Sequence, residues 1–193
     1  LSIAASGTGN VVINDDNSLK LDDGTVAKNL IITAGGDLTQ ESTSGFVVTG
    51  TASLDVTSGT DSDITLLGGT NDFVGAVTVL ATDANSVVSI IDANDLQISS
   101  LGDLNIGAIT ATSGALSITS STGSINDATD DNVVDLTAGG LITLTAEDEI
   151  GDHATFTDKE LELAAGSSVD ASSSTVGAIR LDGLGALTLT DVD

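Results

Sequence analysis

The sequence contains no cysteine, proline, methionine, tryptophan or tyrosine, and its only aromatic residues are Phe46, Phe73 and Phe156. Without Cys there is neither a disulfide framework nor a thiolate metal site. Export is still compatible with this lack, because a disulfide formed early would block passage of an unfolded chain through an outer-membrane pore. Without Met, the 193 residues are expected to be an internal piece of a longer protein, a proteolytic product or a cleaved mature region. Positive charge is nearly missing: four Lys and Arg stand against 29 Asp and Glu, for a net charge of -25. Polyanion binding needs clustered Lys and Arg, so nucleic acid and anionic lipid are excluded as direct electrostatic partners. No apolar run approaches the roughly 18 residues a membrane helix needs, and no membrane insertion is expected. Residues 1–9 carry neither the basic segment nor the long apolar segment of a signal peptide.

What remains is aliphatic and small-polar. The hydrophobic fraction is 40%, nearly all Leu, Ile, Val and Ala, which is too rich for a disordered acidic tail. Lys and Glu, the usual formers of exposed helix surface, are scarce, and Thr, Ser, Gly and Asp dominate the polar remainder. Thr, Val and Ile favour strands, while Gly, Asp, Asn and Ser favour turns. The composition therefore predicts an all-β fold.

The apolar pattern has period two in short bursts such as Leu54-Asp55-Val56, Val77-Thr78-Val79, Leu116-Ser117-Ile118 and Ile142-Thr143-Leu144. Each burst puts two aliphatics on one face and a polar residue on the other. A motif recurs: Gly75-Ala-Val-Thr-Val, Gly114-Ala-Leu-Ser-Ile, Gly140-Leu-Ile-Thr-Leu and Gly185-Ala-Leu-Thr-Leu. Irregular spacing between copies marks a degenerate array with loops of varying length. An immunoglobulin-type sandwich shows longer strands, a core aromatic and Pro in its turns. Short strands without Pro suit a parallel β-helix, where Pro would remove a donor from a strand paired on both sides. The whole of residues 1–193 is read as one β-helix segment of a larger protein, with an irregular loop near 146–160. Val77, Val79, Leu116, Ile118, Ile142, Leu144, Leu187 and Leu189 are expected to point inward, and Thr78, Ser117, Thr143 and Thr188 outward. At roughly 20 residues per coil, about nine coils would make a rod of roughly 45 Å.

Five motifs occur in order: Asn29 to Gln40, Thr49 to Asp55, Asp63 to Leu67, Asn71 to Val77 and Asp92 to Leu96. This order resembles the repeats of very large bacterial exoproteins of the filamentous haemagglutinin type, exported by two-partner secretion or as autotransporters. The resemblance covers roughly Asn29 to Asp152. It implies a right-handed parallel β-helix located outside a Gram-negative cell, with roles in adhesion, aggregation or biofilm. The secretion-domain signature of that family is not found here, so the piece looks like stalk or shaft.

The residues offer little chemistry. His153 is the single His, and with Asp152 and the many Ser a triad can be written only on paper, because G-x-S-x-G does not occur. Lys20, Lys28, Lys159 and Arg180 are too scattered to meet an acidic sugar, and aromatic sugar platforms are missing. No enzyme activity is expected. No cofactor is expected either, calcium apart, since hard cations take carboxylate and carbonyl oxygens. The best calcium candidate is Asp127, Asp130 and Asp131, three carboxylates within five residues and far from any Lys or Arg in sequence. The other acidic clusters, Asn14 to Asn17, Asp22-Asp23, Asp61 to Asp63 and Glu147 to Glu149, are read as turn formers and solubilising charge. Outward Thr and Ser rows would make a flat hydrated face, able in principle to bind a sugar. The function expected is a non-enzymatic shaft or filament segment, its partners adjacent coils of the parent chain or further copies of itself. A glycan- or host-protein-binding module at the bacterial cell surface is the alternative.

Overall fold

A computed structural model describes residues 1–57, 59–81, 85–129, 131–151, 160–175 and 177–193. Every strand pair it contains is parallel, and the strands stack as a β-solenoid of about eight turns, with no helix among the described residues. Three faces form. Face A has four strands, Ile3–Ala5, Gly24–Val26, Phe46–Val48 and Asp72–Phe73. Face B has nine, running from Val11–Asp15 to Thr188–Val192, and face C another nine, eight along its main path from Leu19–Leu21 to Leu181–Gly183 and Ile125–Asp127 beside it. Nine strands on face B span eight steps of about 4.8 Å, or roughly 38 Å. This is a little shorter than the nine coils expected, because the coils are longer than 20 residues where loops intervene.

Side-chain alternation places the aliphatics in columns. On face B, Leu30, Ala52, Val77, Ile98, Ile118, Leu144 and Ala171 lie in register and are all buried. A second column runs through Leu96, Leu116, Ile142 and Val169. Face C contributes Leu19, Leu38, Ile64, Val88 and Ile106. Burying each such side chain contributes about 1.5–3 kcal/mol, and each fills the space between its neighbours one coil above and below. The recurring Gly-x-aliphatic-hydroxyl-aliphatic motif is thus a single coil position repeated.

Six of the eight expected inward residues, Val77, Val79, Leu116, Ile118, Ile142 and Leu144, are fully buried. Thr78, Ser117 and Thr143 face outward and are half-buried. The last copy of the motif differs. Leu187 packs partly against the core, but Leu189 is 59% exposed. Leu189 pairs with Val169 on one side, and no described strand lies on the other. Phe46 and Phe73 fill the wide, three-faced part of the core; Phe156 lies outside the described residues. Phe46 occupies the space beside Gly24, where a Cβ would run into its ring.

Face A ends at Phe73, and among the described residues the later coils form strands on faces B and C alone. A buried amide closes this transition. Asn71, fully buried, accepts hydrogen bonds through Oδ1 from the Phe46 N–H (2.9 Å) and from Gln40 Nε2 (2.7 Å). Its Nδ2 donates toward Gln40 Oε1, the Leu66 carbonyl and the Ile91 carbonyl. Beside it, Asp92 accepts from the Phe73 N–H at 2.6 Å and from the Asn94 N–H at 2.8 Å. Burial raises the pKa of Asp92 against these two hydrogen bonds.

The acidic composition has a structural use at the corners. Asp37 accepts the backbone N–H of Asp63, and Asp63 that of Val87, each one coil further along. Asp23 with Gly45, Asn29 with Thr51, Asp95 with Ala115 and Asp103 with Ser124 repeat the arrangement. Each side chain occupies a donor that the ladders leave over where the chain bends. Replacing Asp63 by Ala is expected to cost about 1–2 kcal/mol in urea unfolding, and by Asn distinctly less, since the amide oxygen still accepts. Equal losses from the two variants would show that the Val87 contact is incidental.

Candidate acidic site at the roots of two insertions

Face C is interrupted once in each of two successive coils. The strand Leu104–Ala111 is continuous but pairs with two separate strands of the next coil, Ile125–Asp127 through Leu104 to Ile106 and Leu136–Ala138 through Ile109 to Ala111. A bulge at Gly107 separates the two halves, as the register shift opposite Val88 and Ser89 records. Between the two partner strands, residues 128–129 and 131–135 belong to no strand. One coil further, Ile150 continues Ile125 and Leu163 continues Leu136, so a second insertion in the sequence, residues 151–160, falls between the same two positions. In the next coil Ile179 follows Ile150 and Leu181 follows Leu161 with only Arg180 between, Gly183 follows Leu163, and the face is closed again. Gly151 begins the second insertion with φ at 79°, and a Cβ there would meet the Arg180 carbonyl oxygen, so only glycine fits.

Three carboxylates converge at these roots. Asp127 ends the strand before the first insertion, Asp135 closes that insertion, and Glu162 lies within the strand that follows the second. One ligand atom from each lies within 4.8 Å of the others, and all three residues are buried. Asp135 and Glu162 are locked to each other by one backbone bond and one bond to a side chain: the Asp135 N–H donates to the Glu162 carbonyl and the Glu162 N–H to the Asp135 carboxyl Oδ2, both at 2.9 Å. Asp127 Oδ1 accepts from the Thr129 N–H at 2.7 Å, which turns the chain outward.

Two of the three sequence-predicted residues are described. Asp127 is in the cluster; Asp131 is exposed, and its carboxylate accepts the Val133 N–H at 2.8 Å in a turn of its own. Asp130 lies outside the described residues, as do His153, Lys159 and most of the irregular loop expected near 146–160. Asp135 and Glu162 were not singled out. Glu162 sits in Leu-Glu-Leu, a pattern that normally sends the middle residue to solvent, and Asp135 is isolated in sequence. The only sequence signal for the pair is that both precede core leucines, Leu136 and Leu163, which prove to be register partners.

Like charges this close and this dry cannot all persist. Burial is the main cause that pushes the Asp135 carboxyl up to about 9, with the Glu162 side chain and the charges of Asp127 and Glu162 adding to it. Asp135 therefore holds a proton at neutral pH in the folded chain and loses it on unfolding. The stability this contributes is complete below the ordinary carboxyl range and is lost as pH rises toward 9. Asp135→Asn, which imitates the protonated group, is expected to melt higher than the parent at pH 8 and level with it near pH 4. Lower melting at both pH values would contradict the protonated state. Three hard oxygen donors are also the chemistry of a divalent-cation site. A site of that kind would respond to millimolar calcium over saturating monovalent salt, whereas general relief of the -25 charge would be matched by magnesium at equal ionic strength.

The architecture defines a parallel β-solenoid repeat protein. Residues 8–80 match the family model described as repeats of unknown function (DUF5649), a stretch that holds the last three of the four face A strands and stops short of the acidic cluster. No curated protein and no solved structure matches the chain. Among the described residues no helix is long and apolar enough to cross a membrane.

Proposed function

We propose that the chain is a non-enzymatic shaft segment of an extracellular bacterial adhesin-like protein, in which it acts as a stiff spacer supporting adhesion, aggregation or biofilm. The observation that supports this most is the pair of long parallel ladders, nine strands on face B and eight along the main path of face C, enclosing stacked aliphatic columns. Bending such a rod strains many ladder bonds and corner clamps together, because every coil is held by both neighbours. Its partners are adjacent coils of the parent chain or further copies of the same fold. Leu189 and Val192 extend the face B columns yet are 59% and 43% exposed, and a further coil stacked on them would bury both. The resemblance of Asn29 to Asp152 to filamentous haemagglutinin-type repeats supports the location at the cell surface. Immunogold microscopy of the native source, with antibody raised against this chain, is expected to label fibres or the outer surface. Label confined to the cell interior would refute the proposal.

A second reading, recognition of a glycan or host protein, draws on one feature of face B. Ser53, Thr78, Ser99, Thr119, Thr145 and Ser172 form a single outward column of hydroxyls in register. If that column binds sugar, Thr119→Arg should abolish retention on a glycan surface without lowering the melting temperature. Unchanged retention would remove the reading.

A further inference from the structure

We draw no further inference here: the strongest candidate, the buried cluster of Asp127, Asp135 and Glu162 between the roots of the two insertions on face C, belongs to the site already described and is an acidic cluster with no second observation of a ligand beside it.

Discussion

Replacing Ile118 by Asp is expected to destabilise the rod by more than about 4 kcal/mol, the range reserved for a charge buried in a core. Ile118 is fully buried and stacked between Ile98 and Leu144, with register partners on both sides. The introduced carboxyl would meet only aliphatic side chains in its column, so it must either ionise without a partner or stay neutral without hydrogen bonds. In a quasi-one-dimensional fold the damage also uncouples what lies above from what lies below. Thermal unfolding followed by circular dichroism should therefore lose its single transition, or lose part of its β-signal before heating begins. The control is the same change at the last copy of the motif. Leu189→Asp alters a side chain that is already 59% exposed and should shift stability by no more than about 0.5 kcal/mol. Equal effects at the two positions would mean that the columns do not hold the rod together.

The second large effect is expected at Asn71. Its amide joins Gln40, Phe46, Leu66 and Ile91, which belong to successive coils at the place where three faces become two. Asn71→Leu keeps the volume and removes every one of these bonds, leaving the Phe46 N–H and the Gln40 amide without their Asn71 partner. The expected cost is on the order of 4 kcal/mol, because stranding several buried polar groups costs more than the hydrogen bonds themselves contribute. Asn71→Asp is a sharper probe. It retains the acceptor for Phe46 but turns the donor toward two carbonyls into a second acceptor. It should fall close to the Leu variant at pH 8. A loss below about 1 kcal/mol for either variant would show that the corner closes without this residue.

The ladders were readable in advance because they rest on local regularity. Gly-x-aliphatic-hydroxyl-aliphatic fixes a strand, its inward face and its turn within five residues, and copies of such a unit can only stack. Leu189 departs from that reading for a reason outside its own motif: burial of a solenoid residue depends on the coil beyond it, and sequence alternation describes only the coil it belongs to. The polar interior was less legible. Asn71 looks like one more turn residue in Gly-Gly-Thr-Asn-Asp, since nothing in its neighbourhood distinguishes an amide facing solvent from one facing the core. The carboxylate cluster was hidden further. Proximity along the chain suggested Asp127, Asp130 and Asp131, of which Asp130 lies outside the described residues; coil stacking also brings Asp135 and Glu162 to Asp127. Their meeting depends on two insertions in the sequence falling between the same pair of stacked strand positions, and insertion length carries no periodic signal. The corner aspartates fall between these cases. Their turn-forming character was plain, while their grip on the N–H one coil away emerges only with register.

The most direct test of the account is a distance along the column of outward hydroxyls. The chain has no native cysteine, so Ser53→Cys and Ser172→Cys accept two nitroxide labels without background. Five inter-strand steps separate these positions on face B, through Thr78, Ser99, Thr119 and Thr145. At about 4.8 Å per step the backbones should lie roughly 24 Å apart. Pulsed electron paramagnetic resonance is expected to give one narrow distribution near that value. A broad distribution, or one centred beyond about 35 Å on the same spacing rule, would contradict a rod of coils stacked in register.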